Sequence, residues 1–119
     1  MKKKSLRFNN SKPKWSLVHY KSLLPLVRQL EAGAAKYAPN NWMIDLNERE
    51  ILDCLQRHVA ALMDDEKYDP DTGVHHIGAI MCNAMFYSFH YVKNPISKKI
   101  KNWPEWLQKI EKKYKNQSS

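Results

Sequence analysis

The sequence predicts an all-α fold, a small helical bundle of three main helices plus a shorter C-terminal helix. Three observations lead there. Apolar residues recur three and four positions apart over three long segments, and little of the chain alternates with period two. Glycine occurs only at positions 33, 73 and 78, too few for a sheet built on many tight turns. Breaker clusters at Ala38-Pro39-Asn40-Asn41, Asp69-Pro70-Asp71-Thr72-Gly73 and Asn94-Pro95 cut the chain into helix-sized pieces.

The first helix is expected from about Ser22 to Lys36, with Leu23, Leu26, Val27, Leu30 and Ala34 at helical spacing. Pro25 is tolerated only in the first turn, where its missing N–H has no intrahelical acceptor. The second helix starts at Asn47, whose side chain can cap it and which pairs with Glu50 three residues on. Ile51, Leu55, His58, Val59 and Leu62 then share a face, and the helix ends near Met63. After the acidic connection, Asp71 or Thr72 is expected to cap a third helix from about Gly73 to Val92. Its main apolar stripe is Ile77, Ile80, Met81, Ala84 and Met85. A fourth helix is expected from Pro104, with Trp103, Trp106, Leu107, Ile110 and Tyr114 anchoring it. Apolar faces left over by so small a bundle favour a homodimer.

An apolar fraction of 43% with 27% charged residues is that of a globular domain, and 119 residues suffice for one core. Charge divides the chain into three. Residues 1–14 carry six Lys or Arg and no acid, and residues 97–119 carry seven Lys against two Glu. The helical domain at 15–96 is left at net −3 within a chain of +8. The basic ends keep a small protein soluble, and they allow weak nonspecific contact with nucleic acid. No apolar run approaches the roughly 20 residues of a membrane span, and MKKKSLRFNN lacks the apolar region of a secretory signal. A cytoplasmic location is expected, with Cys54 and Cys82 as free, small core residues.

Against this basic background, residues 57–83 collect three histidines and five carboxylates. His58 lies three residues after Leu55 and four before Leu62, so it points inward with the core stripe. His76, Asn83 and His90 recur every seven residues and share a face of the third helix. Glu50 with Asp53, and Glu66 with Asp69, have the i, i+3 spacing that sets two carboxylates side by side unless a cation lies between them. Oxygen ligands of this kind suit Mg²⁺ or Mn²⁺. The same residues also fit a plainer reading, with Glu50 as part of a cap, 64–66 as a solvated helix end and the histidines bonded within the core. The histidines could alternatively bind a transition metal, although no adjacent His-Asp pair occurs. There is no phosphate-cradling glycine loop, GxSxG elbow or activated cysteine. Lys36 and Arg57, attached to the ordered domain, are the expected partners of a polyphosphate.

Four blocks, KPKWSLV at 12–18, GAAKYAPNNW at 33–42, RHVAALMDDEKYDPDTGVHH at 57–76 and the following IGAIMCNAMF, occur in a telling order and spacing. They resemble the dATP/dGTP diphosphohydrolase N-terminal-type domain common in bacteriophages, over about residues 6–92. The resemblance implies a helical enzyme of phage nucleotide metabolism, similar in logic to the all-α nucleoside triphosphate pyrophosphatases. It would act in the host cytoplasm, with Mg²⁺ or Mn²⁺, on dATP or dGTP. Matching positions are Lys36, Tyr37, Asn41, Trp42, Arg57, His58, Glu66, Asp69, Gly73, His76 and Asn83. On this reading Glu66 and Asp69, with Glu50 or Asp53, hold the metal, while His58 and His76 orient these ligands or the attacking water. Lys36 and Arg57 hold phosphates, Trp42 or Tyr37 stacks on the base, and Asn41 and Asn83 complete the substrate contacts. Two positions depart from the family pattern: Asp65 stands where a glycine is usual, and Ala79 where a second histidine often occurs.

Overall fold

A computed structural model describes residues 12–93 together with Glu105, Lys109, Ile110, Lys112 and Lys113. The chain divides into two compact units, residues 19–95 and the two ends, residues 1–18 with 96–119. Within the unit of the ends, Trp15–Leu17 forms one 3-10 turn, and the five described C-terminal residues have helical backbone. The expected anchors Trp103, Trp106, Leu107 and Tyr114 lie outside the described residues.

The 19–95 unit is all-helical, as expected, with α1 at Leu24–Lys36, α2 at Glu48–Met63 and α3 at His76–Tyr91. Among the described residues there is no strand, only an isolated antiparallel bridge between Tyr68 and His75. A 3-10 turn, Tyr20–Leu23, feeds directly into α1, and Pro25 falls in that helix's first turn. Helix α3 packs against both α1 and α2.

The crossing of α1 over α3 depends on small residues. A Cβ placed on Gly78 would sit 2.3 Å from the Pro25 carbonyl oxygen, so only glycine lets the two backbones approach this closely. One turn further along α3, the Cys82 thiol donates to the Leu26 carbonyl at 3.4 Å. Its burial pushes the thiol pKa up to about 12, which makes Cys82 an inert packing residue. Cys54 is also a free thiol, half-buried on α2.

Tyr37 closes α1 by donating its N–H to the Gly33 carbonyl at 2.9 Å, and Asn40 then takes a left-handed conformation with φ 61°. The 3-10 turn Asn41–Met43 that follows is pinned to the far half of α3. Trp42 stacks on Phe86 and meets Phe89 edge-on, each with ring centroids 5.0 Å apart, while His90 Nε2 donates to the Trp42 carbonyl at 2.7 Å. Asn47 caps α2 as its sequence position predicts, its Oδ1 accepting from the Glu50 N–H at 3.2 Å. Along α2, Ile51 is buried and Leu55, His58 and Leu62 are half-buried, but Val59, at the margin of that face, is exposed.

Two expectations about α3 need correction. The helix begins at His76, three residues later than predicted, and is capped by neither Asp71 nor Thr72. His75 is the cap, its Nδ1 accepting from the Ile77 N–H at 3.0 Å. Asp71 and Thr72 are consumed by the turn before it. Asp69 Oδ1 accepts from the Asp71 N–H, Thr72 Oγ1 accepts from the Val74 N–H, and Gly73 supplies the φ of +73° that reverses the chain. The second correction concerns the stripe. The buried line of α3 is His76, Gly78, Ala79, Cys82 and Asn83, whereas Ile77, Ile80, Met81 and Met85 are half-buried beside it and Ala84 is exposed. Helix α3 is apolar nearly all round, so small size, which admits α1 and α2 closely, decides which side goes in.

Candidate functional site

A groove of about 820 Å³ runs through the 19–95 unit, with α1 and α2 contributing its walls and Ala79, Cys82, Asn83 and Phe86 of α3 also lining it. Lys36, Tyr37, Asn41, Trp42, Arg57 and Asn83, the residues expected to meet substrate, all line it. So do Glu50, His58 and Asp69. Asp53 is exposed and lies outside the lining, although it shares α2 with Glu50.

The imidazoles meet across the α2–α3 interface, with His58 Nδ1 and His76 Nδ1 2.8 Å apart. His76 is 4% exposed and offers its other nitrogen to Glu66, with Nε2 3.0 Å from Glu66 Oε2. A carboxylate only accepts, so this contact puts the ring proton of neutral His76 on Nε2 and turns the Nδ1 lone pair toward His58. His58 then donates through its own Nδ1–H. Burial holds the His58 pKa below its usual value, the neighbouring His76 and Arg57 acting in the same direction and Asp69 against them.

Backbone geometry delivers the two acids. Helix α2 ends in a Schellman motif, in which the Asp65 N–H bonds to the Leu62 carbonyl and the Glu66 N–H to the Ala61 carbonyl, with Asp65 left-handed at φ 63°. Glu66 thereby leaves the helix end aimed back at His76. The next residues fold into a closed turn: Asp69 N–H bonds to the Val74 carbonyl, the Gly73 N–H to the Asp69 carbonyl, and the His76 N–H to the Lys67 carbonyl. This turn carries the Asp69 carboxylate to the two histidines. His58, Asp69 and His76 each offer one ligand atom within 4.8 Å of the others, a grouping able to hold a metal ion.

The residues of the histidine cluster are thus brought together, and Glu66 stands behind His76 as its hydrogen-bond acceptor. Glu50 and Asp53 belong to no cluster of three ligating side chains among the described residues. Trp42 has one ring face covered by Phe86, whereas Tyr37 is exposed, with Lys36 Nζ 5.2 Å from its ring centre. Gln29 was not foreseen. It lines the groove, and its buried Oε1 has no hydrogen-bond partner among the described residues. The signal was present in the spacing, since Gln29 precedes Gly33 by four and Lys36 by seven and therefore shares their face of α1.

Comparison with known families agrees with the motif order. The family model described as "dATP/dGTP diphosphohydrolase, N-terminal" matches residues 2–101. The chain belongs to that family. A curated relative, a dATP/dGTP diphosphohydrolase of Salmonella phage PMBT28, is 29% identical over 92 residues. That match spans 77% of this chain and 31% of the relative, so the chain covers less than a third of the longer protein's length. No solved structure matches the chain significantly. Among the described residues of this family member, no helix is long and apolar enough to cross a membrane.

Proposed function

We propose that the protein hydrolyses a purine deoxynucleoside triphosphate to the monophosphate and pyrophosphate, with a divalent cation, in phage nucleotide metabolism. The observation that carries this reading is the groove itself: it brings His58 and Asp69 of the cluster together with the cations of Lys36 and Arg57 in a single cavity of about 820 Å³, within the 300–1,000 Å³ range usual for small-molecule sites, with His76 buried behind His58. Family membership and the activity named for the phage relative support the substrate class.

Each residue has a chemical task in this reading. Lys36 and Arg57 bind phosphate oxygens, and Arg57 sits close enough to act electrostatically on His58. Tyr37 offers an exposed ring for a base, and Gln29 lines the same groove beside it. Asp69 and the histidines hold the cation, for which Mg²⁺ and Mn²⁺ are the ions expected from the sequence. When bound, such an ion neutralises phosphate oxygens and activates the attacking water. Glu66 keeps His76 in one orientation throughout. A second copy of the chain is the proposed partner, supported by the exposure of Leu24, Val27 and Met63 on α1 and α2, and light scattering on the purified protein measures it.

The test is to incubate the protein with each of the four deoxynucleoside triphosphates, in Mg²⁺ and in Mn²⁺, and to resolve the products chromatographically. Monophosphate and pyrophosphate from dATP or dGTP are expected. Turnover no greater than that of Asp69→Ala removes the enzymatic reading, and stoichiometric calorimetric binding of intact nucleotide would replace it with a noncatalytic, sequestering role.

A further inference from the structure

The chemistry of the three converging side chains goes further than a generic divalent ion. Resting on the hydrolytic reading but distinct from the carboxylate pairs foreseen in the sequence, we infer that His58, Asp69 and His76 form a mixed nitrogen–oxygen metal centre. It prefers first-row transition ions of the Mn²⁺ to Zn²⁺ series over Mg²⁺.

Spacing is the first argument. Two imidazole nitrogens bound to one ion at about 2.0–2.1 Å, with an angle of about 90–109° between them, lie roughly 2.8–3.4 Å apart. His58 Nδ1 and His76 Nδ1 are already 2.8 Å apart. The rings face each other head-on, with centroids 5.1 Å apart, so an ion that takes the place of the proton between them requires each ring to turn by roughly 35–45° toward it, the Nδ1 atoms staying near their present separation. Asp69 supplies the oxygen ligand, within 4.8 Å of a ring nitrogen of each histidine.

Orientation is the second. Glu66 accepts from His76 Nε2, which leaves the Nδ1 lone pair facing the other two ligands. A carboxylate behind a ligating imidazole is the arrangement that fixes tautomer and raises ligand basicity in metal sites. The Asp69 carboxylate is itself restrained, because its Oδ1 accepts from the Asp71 N–H at 2.8 Å and its backbone is bonded within the turn. His58 and Asp69 both line the groove, so the open side of the centre is on the substrate side.

Donor type is the third argument and sets the selectivity. Mg²⁺ favours an octahedron of oxygens and dehydrates reluctantly, whereas imidazole nitrogen suits the later divalent ions. Two nitrogens and one carboxylate therefore discriminate against Mg²⁺. Glu50 and Asp53, the carboxylates that would have favoured it, are both exposed and outside the cluster.

Cobalt(II) provides a readout independent of turnover. Protein stripped with EDTA is titrated with Co²⁺, and a visible spectrum distinct from that of the aqueous ion should saturate at one equivalent. Zn²⁺ should displace it stoichiometrically, and Mg²⁺ in hundredfold excess should not. His58→Gln and Asp69→Asn are each expected to weaken Co²⁺ binding at least tenfold, and Glu66→Gln about tenfold through His76. His19→Gln, remote in sequence from the cluster, is the control. Asp69→Asn changes a half-buried turn residue without changing its size, so it decides the matter even if a histidine variant fails to fold. Absence of a one-equivalent Co²⁺ spectrum overturns the inference, as does an unchanged spectrum in folded Asp69→Asn or displacement by Mg²⁺. The two readings fail separately. Turnover without Co²⁺ binding at these residues removes the centre and keeps the hydrolase, whereas Co²⁺ binding without turnover does the reverse.

Discussion

The two ends of the groove are built on opposite principles. At the aromatic end, Trp42, Phe86, Phe89 and His90 are engaged with one another, ring on ring and N–H on carbonyl. At the histidine end, His58, His76 and Asp69 bring polar groups to a half-buried place where they press against each other and toward the cavity. The first arrangement uses its binding capacity on the fold. The second leaves donors and acceptors that a ligand can take over, at some cost to the stability of the empty protein. Among the described residues, only the histidine end gathers three side chains able to hold a metal ion, even though aromatic residues are the more conspicuous in the sequence.

Removing Trp42 is the strongest way to break that contrast. Trp42→Ala discards the stack on Phe86 and the edge contact with Phe89, and loosens the turn that leads into α2. Trp42 is half-buried, so the expected loss is about 2–3 kcal/mol, below the 3–5 usual for a fully buried large aromatic. Tyr37→Ala, at an exposed ring in the same stretch, should stay within about 0.5 kcal/mol. Chemical denaturation of the three proteins measures both. Equal losses at Trp42 and Tyr37 would mean that the aromatic end is no more structural than its neighbour.

The histidine end should reveal itself by its response to acid. Burial, with the adjacent His76 and Arg57, holds the His58 pKa in the folded protein below the unfolded value near 6.5. Below that value the unfolded chain takes up a proton that the folded chain resists, so stability is full above about pH 6.5 and declines as the pH falls through it. Thermal unfolding in EDTA, compared between about pH 7.5 and 5.5, should show this decline in the native protein and a shallower one in His58→Gln. An equally steep decline in the variant would assign the acid sensitivity to other groups.

The same contrast separates what is legible in the sequence from what only the fold decides. Local signals carried through: Pro25 lies in the first turn of α1, Asn47 caps α2, and the Ala38–Asn41 breakers end α1. His58 could be turned inward from its place between Leu55 and Leu62. Its partner could not be named, because His76 lies 18 residues away across a turn whose path is set by backbone bonds between Asp69 and Val74 and between Lys67 and His76. Those bonds also hid the start of α3. They divert Asp71 and Thr72 into the turn and leave the cap to His75, a residue type with no strong capping signature. The spacing of Glu66 and Asp69, beyond the expected end of the second helix near Met63, says that the two acids lie close in sequence but not where each is aimed; the Schellman motif and the turn after it set one behind His76 and the other beside it.

Asp65 offers the smallest and sharpest probe of how the histidine end is held. Its φ of 63° is the left-handed value that closes the Schellman motif, and glycine is the residue that the family resemblance leads one to expect here. An L-residue with a Cβ is strained there by about 1–2 kcal/mol, less for Asp, whose short polar side chain tolerates the conformation. Asp65→Gly relieves that strain and adds flexibility to the unfolded chain, two effects of opposite sign. The first should prevail, giving a net gain of about 0.5–1 kcal/mol in chemical denaturation. Since the change also removes a negative charge beside Glu66 without altering any atom of the cluster, Co²⁺ affinity should move less than twofold. A gain in stability with unchanged metal affinity would mean that the Schellman turn only delivers Glu66 to His76. A large change in affinity would make Asp65 part of the electrostatics of the centre, and the departure from glycine would then be a functional substitution.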